Sequence, residues 1–281
     1  MPALYVWAES MQSAESTEKR VLRLSPAQAS GFPAACALGL WSLGFLDVAR
    51  QNAALQWSFL GAGALLLAWA GAVFIVAQRT GRTFSLELAC RKQHVVQVLA
   101  QASFFLYWGW YWRPVYEFAF LILAQLVFAY GFDALLRWTR RNLYTLGVGP
   151  IPIILSINLF LWFRENWFYL QFVLVALGFL AKELIQWTKD GQRSHIFNPS
   201  SFPLAVFSLA LILTETSDLT WGQDIATSQF FPPHIYLVVF LVALPGQYLF
   251  GVASMTFSAV VTTYLFGLVY FGITGVYFFY D

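Results

Sequence analysis

The chain has 281 residues, of which 59% are hydrophobic, 11% charged and 19% aromatic; its formal net charge is +2 and its mean hydropathy +0.63. Soluble domains carry roughly 25% charged residues, so most of this surface is not built to face water, which excludes an ordinary soluble enzyme. The small net charge gives no sign of a nucleic-acid partner.

Residues 1–30 read as a polar cytoplasmic N-terminal tail. Glu9, Glu15 and Glu18 precede Lys19 and Arg20, and the basic start and short apolar core of a cleaved signal peptide are missing. From residue 31 to 281 the sequence predicts one transmembrane helical domain. Apolar runs fall at about 31–48, 57–77, 95–110, 116–132, 151–163, 167–181, 202–213, 235–250 and 255–280. A helix needs about 20 apolar residues to cross hydrocarbon. The expected fold is therefore all-α, a polytopic helical membrane bundle of about nine transmembrane helices. The fifth and seventh runs are short, so they either tilt little or are broken elements that stop partway across.

Charge placement orients the bundle. Lys19, Arg20 and Arg23 precede the first run, and Arg79, Arg82, Arg91 and Lys92 follow the second. Arg137, Arg140 and Arg141 follow the fourth, and Lys182, Lys189 and Arg193 follow the sixth. Thirteen of the 16 basic residues thus share one side, while Arg50, Arg113 and Arg164 fall one to each opposite loop. Positive-inside bias puts the N-terminus in the cytoplasm, with a bacterial inner membrane as the expected location. The loop at 214–234, which has Glu215, Asp218 and Asp224 and no Lys or Arg, then lies outside. Trp108, Trp110 and Trp112, and Trp162 with Trp167, crowd outer turns as interfacial anchors.

Few residues inside the runs carry chemistry. Glu117, Asp133 and Glu183 sit at the ends of runs, where water reaches them, so a carboxylate proton relay is not expected. Gln97, Gln101, Gln125, Ser156, Asn158, Gln171, Gln247, Ser258, Thr262 and Thr263 are suited to interhelical hydrogen bonds. Cys36 and Cys90 have no Cys-x-x-Cys spacing, and His94 and His195 lie on the side opposite His234. No metal site or haem is predicted. No phosphate-cradling glycine motif and no converging Ser/His/Asp set occur.

One polar loop stands apart: Ser194-His195-Ile196-Phe197-Asn198-Pro199-Ser200 between two greasy runs. Asn198-Pro199 reads as a helix N-cap followed by proline in the first turn. Near a membrane such an opening persists where protein or ligand satisfies its backbone, so Asn198 either caps the helix or contacts a ligand, and both readings stay open. His195-Ile-Phe-Asn-Pro-Ser-Ser-Phe resembles the Phe-Asn-Pro-Ala segment of the RnfD/NqrB-like membrane family. Members of that family are integral subunits of the Rnf electron-transport complex and of sodium-translocating NADH:quinone reductase. The runs Gly222-Gln-Asp-Ile-Ala-Thr, Pro232-Pro-His-Ile-Tyr236 and Thr274-Gly-Val-Tyr-Phe look like its divergent branch labelled enediyne biosynthesis protein (UnbU-like). The resemblance implies a bundle of about ten helices that holds flavin and passes electrons beside other membrane or redox subunits. It assigns a noncovalent flavin, riboflavin or FMN, or a quinone-like group, to Asn198 with Phe197, Ser200 and His195. The family's Ser-Gly-Ala-Thr attachment sequence is absent, so covalent FMN is not predicted. The alternatives are a membrane scaffold subunit and a transporter of a lipid or polyketide-like product.

Overall fold

A computed structural model describes residues 21–189, 192–229, 232 and 234–276. Among these the chain is mostly helical, and every one of the nine apolar runs falls on a helix: α1 (Pro26–Gly44), α3 (Ala53–Thr80), α4 (Lys92–Tyr111), α6 (Ala119–Arg140), α7 (Pro150–Asn158), α8 (Tyr169–Leu184), α9 (Ser201–Leu213), α11 (Ile235–Leu249) and α12 (Ala253–Thr274). Short helices α2 (Asp47–Arg50), α5 (Pro114–Glu117) and α10 (Gly222–Ser228) lie in the turns. Three helices, α3, α6 and α12, are long and apolar enough to cross a membrane. Helices α9 and α11 are apolar but shorter.

Local chemistry sets the helix limits. Ser25 opens α1 with a reciprocal capping box, its hydroxyl accepting from the Gln28 backbone N–H while the Gln28 side chain accepts from Ser25. Asn52 accepts from the backbone of Leu55 at the start of α3, and Gly81 ends that helix at φ 65, a left-handed position that glycine occupies without strain. The first turn of α1 and the strand before it thus lie inside residues 1–30, which the sequence assigned to a tail; residues 1–20 are outside the described set.

The core is a layer of α1, α3, α6 and α8. Ala29, Pro33, Ala37, Leu40 and Gly44 form one buried stripe on α1, facing α3 at helical spacing. Gly63 of α3 lets Trp41 lie flat: a Cβ there would come within 2.6 Å of the indole, whose N–H donates to the Leu60 carbonyl. Phe59, Phe128, Phe168 and Phe172 pack edge-on or tilted between α3, α6 and α8. By contrast, α12 has no buried residue and touches α11.

The helical reading omitted two small sheets. Strands β1 (Val21–Leu24), β2 (Phe84–Leu88) and β3 (Leu143–Leu146) form one sheet, β1 antiparallel and β3 parallel to β2. Strands β4 (Gln186–Lys189) and β5 (Gln192–His195) form a hairpin in which Gln186 faces His195. The three-stranded sheet ties the start of α1 to the ends of α3 and α6, so these termini lie at one end of the bundle. Arg82 reinforces it by donating to Asn142 and to the Trp138 carbonyl. At the same end Glu183 pairs with Arg141 at 2.7 Å and Arg140 at 3.6 Å. The opposite end is joined by Asn52 to Asn166 and by Arg164 to Asp218 and Asp224.

Candidate functional site

The predicted loop sits at the sheet end, carried out of β5 and into α9. The Asn198 side-chain oxygen accepts from the Ser200 N–H (2.9 Å), the Ser200 hydroxyl (2.7 Å) and the Ser201 N–H (3.4 Å). All these partners lie within three residues, so Asn198 is the helix cap and its oxygen is fully used. Ser200 is buried and its hydroxyl is spent on that same cap. Phe197 is half-exposed and stacks on Phe202, with ring centres 5.0 Å apart and planes 28° apart. His195 is exposed along one side, while partial burial and then the nearby Lys182 ammonium hold its imidazole below the usual histidine value. The structure therefore brings together one cap and one stacked ring pair, Phe197 exposed and Phe202 half-buried. The start of α9 lies tight on α8: Pro203 comes within 3.2 Å of where a Cβ on Gly178 would stand, and that Cβ would run into the Pro199 carbonyl.

The other histidines are elsewhere. His94 lies 3.6 Å from the Cβ position of Gly149 at the start of α7, and His234 stands edge-on to Tyr107 and Tyr111 at the other end. Among the described residues no three His, Cys, Asp or Glu gather as metal ligands would.

A second region emerges from the fifth run. Helix α7 has nine residues, about 13 Å at 1.5 Å per residue, under half of a hydrocarbon core. It stops at Asn158, and the chain continues through irregular backbone to Arg164. Buried irregular backbone must find its hydrogen-bond partners within the protein, and here they are glutamines. Gln171 of α8 accepts from the Phe163 N–H at 3.0 Å and donates to the Leu161 carbonyl at 3.4 Å. Gln229 donates to the Leu159 carbonyl at 2.8 Å. Gln125 and Asn158 exchange two amide hydrogen bonds, 2.9 and 2.8 Å, and Gln171 donates to Gln125 at 3.1 Å. All three of these amides are buried, so the interhelical role expected of Gln125, Asn158 and Gln171 is what the geometry shows.

Beside the unwound segment is a cavity of about 450 Å3, lined by Phe160, Leu161 and Arg164, by Ser208, Leu211 and Ile212 of α9, and by the 217–224 turn. That turn is laced to the segment by Arg164 N–H to the Leu219 carbonyl (2.9 Å) and Trp221 N–H to the Trp162 carbonyl (2.8 Å). The sequence missed this cavity because its walls come from segments 50 residues apart. The traces it left were two short runs and an acidic loop. Comparison with protein-family models, with curated proteins and with solved structures finds no match for this chain.

Proposed function

We propose that the nine apolar runs cross the bilayer, the fifth as α7 together with the irregular segment after it, with the sheet end in the cytoplasm, and that the chain is an integral membrane subunit of an electron-transfer complex. A noncovalent flavin or quinone-like group would sit at the His195-Asn198-Pro199 loop. One observation carries this reading: the stacked Phe197–Phe202 pair, with Phe197 exposed and the exposed His195 two residues before it in the chain, onto which a flat ring can add as a third layer. In this reading Asn198 and Ser200 shape the turn, because the Asn198 oxygen is already engaged; the rings hold the group and partner redox subunits supply and remove electrons. The protein purified in mild detergent with its partner subunits should show a flavin or quinone absorbance band that survives gel filtration. Phe197→Ala should weaken retention about 2- to 10-fold, the worth of one aromatic pair. Preparations that carry neither group with all partners present would rule the reading out.

A second reading, a transporter of an amphiphilic product, is favoured by the cavity between the unwound end of α7 and the end of α9. Broken helices flanking a site are the usual construction of secondary transporters. Uptake into proteoliposomes tests it, and wild-type uptake by a cavity-filled variant would count against it.

A further inference from the structure

The cavity beside the unwound segment has two unlike walls. Phe160 and Ile212 are strongly exposed on one side. On the other, the side chains of Ser208, Ser217, Asp218 and Gln223 make no hydrogen bond or ion pair among the described residues. Arg164, the cation in the cavity lining, is already committed. It donates to the Asp218 carbonyl at 2.9 Å, lies 3.5 Å from the Asp224 carboxylate, and covers the Trp221 ring at 4.3 Å. Asp218 is solvent-exposed with no protein cation on its carboxylate among the described residues, and the lining around it adds hydroxyl and amide groups that can accept hydrogen bonds. The volume of about 450 Å3 falls within the range of small-ligand sites, roughly 300–1,000 Å3.

We propose that this cavity binds the ammonium head of an amphiphile, with Asp218 as its counter-charge and the apolar body running out along Phe160 and Ile212. A head bearing a carboxylate or phosphate without an ammonium would meet Asp218 and Asp224 unfavourably, and a purely apolar ligand would leave the polar wall unpaired. A free long-chain amine and an aminolipid share this chemistry. The site is independent of the flavin reading and supplies a substrate class to the transport reading. It concerns binding alone, so binding without uptake would remove transport and leave the site standing.

The test is calorimetric titration of n-octylammonium, n-octanol and n-octanoate into the full chain in a neutral maltoside detergent. Octylammonium should bind saturably, about threefold to fivefold more tightly than octanol and more tightly still than octanoate. Asp218→Asn should weaken it about threefold to fivefold, as expected for a partly exposed ion pair, and Ser208→Leu, which fills the cavity without altering charge, should abolish saturable binding. Repeating the titration in phosphatidylethanolamine and phosphatidylcholine nanodiscs separates the sources: competition by the former assigns a lipid head, and its absence assigns a free amine. Octanoate binding as tightly as octylammonium overturns the proposal. So does Asp218→Asn that binds like the unaltered protein, even where Ser208→Leu abolishes binding.

Discussion

Glu215 shows how one residue holds a turn against its own preference. It adopts φ 56, the left-handed region that side chains with a Cβ avoid. Around it the Thr216 N–H donates to the Leu211 carbonyl (2.9 Å) and the Glu215 N–H to the Ile212 carbonyl (3.2 Å), the paired bonds that end a helix through a left-handed residue. Glycine normally occupies that position, so Glu215→Gly should stabilise the protein by about 0.5–1 kcal/mol. Thermal unfolding in detergent checks this, and a lowered melting temperature would contradict it. A second residue-scale expectation concerns acid. His195 is held below its usual value by burial and Lys182, so the unfolded chain takes up that proton first. The associated stability is complete above about pH 6.5, the ordinary histidine value, and is lost as pH falls below it. His195→Gln should flatten the decline in melting temperature between about pH 6.5 and 5; a variant with the wild-type slope would place the acid sensitivity on another group.

Among the elements, two contacts decide geometry. Helix α9 starts close to α8 because Gly178 has no side chain to meet Pro199 and Pro203. Gly178→Ala should cost about 1–3 kcal/mol through overpacking, and because the clash is with backbone it should also shift the α9 start and loosen the Asn198 cap. Unfolding midpoints together with faster amide exchange at Ser200 and Ser201 would reveal both effects. The unwound end of α7 depends on Gln171. Gln171→Leu removes the acceptor for the Phe163 N–H and one donor to Gln125, a loss of about 2 kcal/mol for an orphaned buried donor. Gln171→Glu retains the acceptor but would bury a carboxylate against the Gln125 and Leu161 oxygens to which Gln171 donates, so it should cost more than Gln171→Leu; a smaller loss would argue that the acceptor for Phe163, not the donors, is what matters.

For the whole molecule, the sheet end and the positive charge coincide, and this makes the proposed orientation measurable. Cys90 is a free, exposed thiol following β2, while Cys36 is half-buried on α1. A membrane-impermeant maleimide should label Cys90 in inverted vesicles and leave it unlabelled in intact cells or right-side-out vesicles. Labelling from the outside would reverse the topology and move the Asp218 cavity to the cytoplasmic side. Helices α11 and α12 also matter at this scale: α12 exposes apolar side chains around nearly its whole circumference, and α11 exposes those on the faces away from α4, as suits contact with hydrocarbon or with another apolar protein surface.

Composition and hydropathy alone marked where the main helices lie, because each grows from a continuous local run, but not that only three are long and apolar enough to cross a membrane or that the fifth run unwinds after Asn158. Asn198-Pro199 was likewise readable as a helix opening, since capping involves partners within three residues. Composition could not reveal the strands: Phe84–Leu88 becomes β2 by pairing with Val21–Leu24 and Leu143–Leu146, some 60 residues away in either direction. Nor could it show that Asn198 spends its oxygen on its own turn, or that Phe160, Ser208 and Asp218 share a cavity. Hydrophobicity is a property of a stretch of chain and survives in the sequence. Hydrogen-bond satisfaction and enclosed space belong to pairs of distant segments, and only their packing in three dimensions decides them.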